Sequence, residues 1–278
     1  MQAEKERHEA DYSEAQRHVE RAKNSLRKIG DEQKQKREKV FRIQPNIKKI
    51  CEWVERNKQR LRKPIFGPIS SCLTCKNDQI ARYVDQHCQN AVLVAFVCQT
   101  KADSDLMYRE VREKMKIPVN IELVENADAP TVREYPVERM RKLAEDAGIK
   151  GFLDQFVDAP KVVKKCLENN SKLHSVLVGS ELTTEVLDKP GNKLMYNLTQ
   201  KVRPDGQVQA TSACVCVPAA NSAYRYTANV SRYSKKHSVQ IIEVSQNPKF
   251  VTKGVPKSLI DQYKQKLLEA EERYTVAR

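Results

Sequence analysis

Residues 12–54 read YSEAQRHVERAKNSLRKIGDEQKQKREKVFRIQPNIKKICEWV, and the apolar spacing inside them decides the fold. Ala15, Val19, Ala22, Leu26 and Ile29 recur at alternating steps of four and three residues. Val40, Ile43, Ile47, Ile50 and Val54 resume the count, and only Gln33 and Lys36 interrupt it. A period of about 3.5 residues builds the narrow seam of a two-helix coiled coil, not the wider stripe of a helix lying on a core. The other end of the chain repeats the pattern at Ile260, Tyr263, Leu267, Ala270, Tyr274 and Ala277. Two seams of the same period bracketing about 200 residues describe an antiparallel rod: out along one helix, through a globular tip, and back.

Charge is distributed unevenly over this plan. The net charge is +14, but residues 1–44 hold only +3 of it and residues 258–278 none. Residues 48–63 carry seven basic and two acidic side chains, and residues 201–257 carry nine and two. The stretch between them is nearly neutral. If the arms pair, both basic segments are expected near one junction. No apolar run of about 18 residues occurs, so no membrane-spanning helix is expected. The first residues, Met1-Gln-Ala-Glu-Lys-Glu-Arg, lack the apolar stretch of a secretory signal. With eight cysteines and no such signal, reduced thiols and no structural disulfides are expected.

The first helix is expected to run to about Ile43, roughly 65 Å long at 1.5 Å per residue. Pro45 breaks it at Gln44, because proline removes a backbone donor and disfavours helix in the residue before it. A second helix then covers 46–62. Strands are expected at Ile69–Thr74, Ala91–Cys98, Val119–Val124, Val176–Val178, Leu194–Leu198, Val208–Val217 and Ala223–Tyr233, with a hairpin turn at Asp205-Gly206. Helices are expected at 78–87, 103–116, 137–147, 160–169 and 181–187. Ser258, with Asp261 three residues on, is placed as the cap of the returning helix. The fold class is therefore α/β with mixed sheets. Its divisions are an arm (1–44), two subdomains (45–135 and 136–257) and a returning arm (258–278). About 20 returning residues cover some 30 Å, which leaves residues before about 24 without an intramolecular partner.

This order of motifs resembles the hinge of structural maintenance of chromosomes proteins, and within that family the fifth member. Trp53, Phe66-Gly67-Pro68-Ile69, Phe156-Val157-Asp158-Ala159-Pro160, Val163, Leu167, His174, Val178-Gly179, Tyr226-Thr227 and Ser231-Arg232-Tyr233-Ser234 carry the resemblance. The chain departs from many hinges in one respect: Asp205–Tyr233 keeps only Gly206, where the family often clusters glycines at its dimer contact. The resemblance implies a two-subdomain hinge that pairs with the hinge of the sixth member, sheet edge to sheet edge. It also implies DNA binding, a nuclear and chromosomal place, and a part in DNA repair, homologous recombination and chromosome segregation. The ATPase head of such proteins is built from chain termini; no G-x-x-x-x-G-K-[ST] loop occurs in this sequence. No catalytic residue, metal or cofactor is expected.

The stretch most suited to nucleic acid is Tyr224–His237. Cations that track phosphates beside aromatic faces that stack bases bind single strands, with duplex DNA a further candidate. In one continuous strand Arg225, Tyr233 and Lys235 share a face, Tyr224 and Tyr226 point inward, and Arg232 and Lys236 add charge. The competing reading is a solvated edge strand protected by its lysines. Lys58, Arg60, Arg62 and Lys63 offer a second basic wall, against the plain reading of a charged helix end. Leu194, Met195 and Tyr196 are candidates for the dimer contact, against burial in the core.

Two other classes stay open. Cys72-x-x-Cys75 between a strand and a helix is where a thioredoxin-like redox pair sits. The same pair with Cys214-x-Cys216 gives four possible zinc thiolates, although one-residue spacing is unusual for such a site. A stand-alone coiled-coil scaffold needs the first arm to pair between chains.

Overall fold

The computed structural model describes residues 2–189, 193–202, 208–220, 222–231, 233–234, 236–254 and 257–277. Helix α1 (Gln2–Ile43) and the last helix, α10 (Lys257–Ala277), lie side by side and antiparallel. Ala15, Ala22 and Ile29 of the heptad seam are buried there, as is Ala270 opposite. The hydroxyls of Tyr12 and Tyr274 meet at 2.6 Å with their rings 5.0 Å apart, and Lys23 pairs with Glu271 at 3.2 Å.

Those contacts correct the expected register. The returning helix reaches residue 12, not residue 24, because pairing starts farther down α1 than Gln44. Beyond Ile29 the first helix leaves its partner and enters the globular body. Lys36 marks the transfer: it bonds the Leu73 carbonyl at 3.5 Å, and burial lowers its pKa. Lys39 reaches the Pro248 carbonyl at 2.7 Å, and Val40 is enclosed in the body's core. The interruption at Gln33 and Lys36 is thus the boundary between rod and body.

Gln44 breaks the helix as Pro45 requires, and α2 (Pro45–Arg56) sinks Ile47, Ile50 and Trp53 into the main core. A single 3-10 turn (Lys58–Arg60) follows. Phe66 exchanges backbone hydrogen bonds with Val97, and the Ile69 amide bonds the Ala95 carbonyl, so the Phe-Gly-Pro-Ile motif is stitched to strand β2. The strand expected at Ile69–Thr74 is instead a 3-10 turn (Ile69–Cys72) leading into the short β1 (Thr74–Cys75). Helix α3 (Asp78–His87) is capped by Asn77, which accepts from the Ile80 amide. The apolar run Ala91–Cys98 is divided. Its first half forms the helical turn α4 (Asn90–Leu93) and its second half β2 (Phe96–Cys98), because continuous burial gives no periodicity to tell the two apart.

Helix α5 (Lys101–Met107) continues as a π-helix (Tyr108–Lys114), and β3 (Ile121–Leu123) pairs parallel with β2. Helix α6 (Val137–Ala147) ends at Gly148, whose φ of 65° supplies the left-handed closure that other residues adopt at a cost. Then come β4 (Gly151–Phe152), β5 (Val157–Asp158), α7 (Lys161–Ser171), β6 (Val176–Val178) and α8 (Glu181–Leu187). Residues Leu194–Leu198 are not a strand. They lie in α9 (Lys193–Thr199), where Leu194, Met195 and Leu198 share one buried face. Strands β7 (Gln200–Val202) and β8 (Val208–Ala210) pair antiparallel, and the Asp205-Gly206 turn lies outside the described residues.

The main sheet takes the order β11-β10-β9-β6-β4, with β9 (Ala213–Pro218), β10 (Ala223–Val230) and β11 (His237–Glu243) forming a meander. Only β6 and β9 are parallel. One apolar cluster joins α2, α3, β2 and α7; a second lies under α9 between Phe152, Leu177, Val215, Val217 and Tyr226. Strand β11 escaped the sequence reading because an edge strand with alternating exposure carries few buried residues. Helix α10 starts at Lys257, so Ser258 lies within it and does not precede it.

Candidate nucleic-acid and partner surfaces

The basic turn at 58–63 is held from beneath. Asp103, 1% exposed, accepts from the Arg62 amide at 2.9 Å, the Lys63 amide at 3.1 Å and the Thr100 hydroxyl at 2.6 Å. Burial alone would raise that carboxyl; the three hydrogen bonds outweigh it and hold the pKa below the usual carboxylate range. The backbone is fixed, and the side chains of Lys58, Arg60, Arg62 and Lys63 stay exposed. Lys58 bonds Glu55 at 2.6 Å, and Arg60 bonds Asn57 at 2.8 Å and lies 3.9 Å from Glu110.

That last contact brings in residues the sequence reading missed. The 58–63 turn sits beside the π-helix, where Arg112 lies over the Tyr108 ring at 5.5 Å and Tyr108 is 44% exposed. Arg109 and Lys114 flank Glu110 in the same segment. A π-helix is uncommon and often marks a functional place. Its signal in the sequence was only the composition YREVREK, which an ordinary amphipathic helix also shows.

The second basic stretch is not one strand. Strand β10 stops at Val230, and the Ser231 amide bonds the Lys236 carbonyl at 3.0 Å to close a turn into β11. Tyr233 stands on that turn, 98% exposed, with Lys236 exposed beside β11; Arg232 and Lys235 lie outside the described residues. The shared face expected for Arg225 and Tyr233 is therefore lost, since the turn ends the alternation. Arg225 points the other way. It is half-buried and donates to the Gln86 carbonyl at 3.0 Å, at the end of α3. Tyr226 is buried and Tyr224 packs beneath it in the second cluster, as alternation required.

The second basic segment is itself divided. Lys249 and Lys253 lie at the arm junction: Asp85 accepts the amides of residues 249–251 at 2.7–2.8 Å, and Lys253 pairs with Asp78. The Tyr233 turn is at the opposite end of β10 and β11, some 25 Å away at 3.3 Å per residue.

Of the three residues considered for partner contact, Leu194 and Met195 are buried within this chain. Tyr196 is 51% exposed and leans on His237 with ring centroids 4.5 Å apart. Beside it runs β11, at the edge of the main sheet, with Ile241 54% exposed.

The cysteines argue against the redox pair. All eight are free. Burial pushes Cys72 up to about 11 and Cys75 up to about 12, which keeps both as inert thiols at neutral pH. Among the described residues no cluster of three or more candidate ligands could hold a metal ion.

No protein-family model matches the sequence. Over 134 residues, 48% of this chain, it is 26% identical to structural maintenance of chromosomes protein 5 of Arabidopsis thaliana. The chain spans 12% of that relative's length. The solved S. pombe Smc5/6 hinge domain superposes with a TM-score of 0.61 at 16% identity, covering 90% of this chain and 86% of that one. This chain has the fold of an SMC hinge, most like that of the fifth member. A hinge from Geobacillus stearothermophilus, crystallised as an asymmetric dimer, matches more weakly, with a TM-score of 0.45 at 10% identity over 97% of this chain and 93% of that one. The paired arms, the Phe-Gly-Pro-Ile stitch and Trp53 in the core give the SMC hinge fold its physical basis here.

Proposed function

We propose that this chain is the hinge of a chromosome-maintenance complex, pairing with the hinge of the sixth SMC member and holding DNA, preferably single-stranded, on its basic turns. The carrying observation is the pair of antiparallel arms, α1 against α10, entering and leaving a body with the SMC hinge fold. Side-by-side arms let one globule sit at the tip of a rod and join two rods when it dimerises. The edge of β11 with Ile241 and Tyr196 supports the pairing, because an unpaired strand edge with exposed apolar groups accepts another chain. The 58–63 turn with Tyr108 and Arg112, and the Tyr233 turn with Lys236, support nucleic-acid contact through phosphate charge and base stacking. The role that follows is associative, on chromosomes in the nucleus, serving repair, recombination and segregation.

Sedimentation of the chain with and without the sixth member's hinge tests the pairing. A one-to-one complex is expected, and Ile241→Glu is expected to abolish it; a monomer unaffected by that hinge would end the reading. Fluorescence anisotropy with a labelled single strand tests the second part. Binding that weakens steeply with salt is expected. Equal, salt-insensitive affinity for single-stranded and duplex DNA would remove it.

A further inference from the structure

Between the end of α3, the end of α7 and one face of β9 and β10 lies a polar cleft of about 480 Å³. Its walls include His87, His174, Lys172, Arg225, Thr227 and Cys214. Cys214 is half-buried and faces this space, unlike the fully enclosed Cys216. The Thr227 hydroxyl donates to its sulfur at 3.8 Å. His87 lines the same cleft, and its charge acts on the same sulfur. The His87 Nε2–H donates to the Ser171 carbonyl at 2.7 Å, and a carbonyl can only accept, so the tautomer is set. The ring's Nδ1 is thereby left buried with no hydrogen-bond partner, as is Nε of Arg225.

A sulfur, an imidazole whose free nitrogen is turned inward, and a backbone carbonyl that orients the imidazole form the arrangement that activates a thiol. The neighbouring Cys216 first, then His87 and Thr227, hold the Cys214 thiol well below its ordinary range against the opposing effect of burial. Six other cysteines go the opposite way: burial pushes Cys51, Cys72 and Cys166 to about 11 and Cys75, Cys88 and Cys98 to about 12. Cys216 is pushed up by the same pairing that lowers Cys214. The cations facing the cleft are Lys172 and Arg225; Glu134 stands at its wall, and His174 is kept toward the neutral form by burial.

We propose that Cys214 is the nucleophilic thiol of this chain and that the cleft admits small anionic disulfides, with which Cys214 forms a mixed disulfide. The Cys214 thiolate attacks one sulfur of the small disulfide. The S–S bond breaks, a new S–S bond forms to Cys214, and the departing thiolate takes up the proton held by His87. The exchange is balanced and needs no further oxidant. This inference does not depend on the DNA or dimer readings.

The test uses the folded chain with glutathione disulfide, followed by peptide mapping by mass spectrometry. One added glutathione per chain is expected, at Cys214, before any other cysteine reacts. First reaction at another cysteine, or none in the folded chain while the unfolded chain reacts fully, would overturn the proposal. Cys214→Ser is expected to leave helical circular dichroism unchanged and to abolish the adduct. His87→Gln keeps an N–H for the Ser171 carbonyl but removes the base. It is expected to slow the reaction about tenfold at neutral pH and to shift the pH–rate profile toward that of an ordinary thiol. An unchanged profile would remove His87 from the proposal. Cystamine, a cationic disulfide of similar reactivity, is expected to react more slowly than glutathione disulfide, with Lys172→Glu narrowing the gap; faster reaction with cystamine would overturn the anionic preference.

Discussion

The two basic turns are built on opposite principles. Lys58–Lys63 is anchored: a buried carboxylate fixes its backbone, and the cationic side chains project from a frame that is already ordered. Ser231–Lys236 is a hairpin end, closed among its described residues by a backbone bond and the hydroxyls of Ser231 and Ser234, with Tyr233 standing out into solvent. An anchored turn has met its ordering cost on folding and meets phosphates with little further loss. A free hairpin end must order itself on the strand, so its contribution rests on stacking more than on charge. The two patches should therefore respond differently to mutation, salt and pH.

The largest effect is expected from Asp103→Ala. It strands the Arg62 and Lys63 amides and the Thr100 hydroxyl, and a loss of about 2 kcal/mol in stability is expected from urea unfolding. Among the described residues, no buried carboxylate accepts from the amides of the Tyr233 turn. The pH dependence follows from the sign of the shift. The folded carboxyl is held below its unfolded value, so its contribution is complete above about pH 4 and disappears as the pH falls through the folded value. Asp103→Asn should show a flatter acid limb than the parent. Equal acid sensitivity of the two would show that the turn is not held by this carboxylate.

Salt separates the turns next. Replacing Lys58, Arg60, Arg62 and Lys63 together by Gln should reduce the salt slope of single-strand binding by about 3, if all four meet phosphates. Lys235 and Lys236 changed to Glu should weaken binding and reduce the slope by about 1.4 from the loss of two such contacts, with any added repulsion on top. Unchanged slopes in both variants would remove DNA from these surfaces.

The sequence made the rod legible and the surfaces largely not. Heptad spacing is a local, one-dimensional signal, and Ala15, Ala22, Ile29 and Ala270 lie buried in the paired arms as their positions required. Helices with clear caps or breakers also came through, such as α6 from Val137 to Ala147 with its closing Gly148. Errors gathered where burial erased the period, at Ala91–Cys98 and Leu194–Leu198, and where a sheet edge had too little burial to give one, at His237–Glu243. The face expected to join Arg225 and Tyr233 was lost for another reason: the turn after Val230 ended the alternation that linked them. The C-x-x-C spacing left thiol chemistry open, because what sets it is the neighbours that folding supplies. His87 and Thr227 reach Cys214 from elements distant in the chain.

The smallest expected effect tests the free turn most cleanly. Tyr233→Ala removes a side chain that is 98% exposed, so stability should change by less than about 0.5 kcal/mol. If Tyr233 stacks on a base, single-strand affinity should fall by about 1–3 kcal/mol with the salt slope preserved, because stacking releases no counterions. Tyr233→Phe keeps the ring face and should bind like the parent. A fall in slope with Tyr233→Ala would mean that the aromatic only positions neighbouring lysines. An unchanged affinity would leave the anchored turn as the sole nucleic-acid surface of the two, and would reduce the hairpin end to a solvated loop.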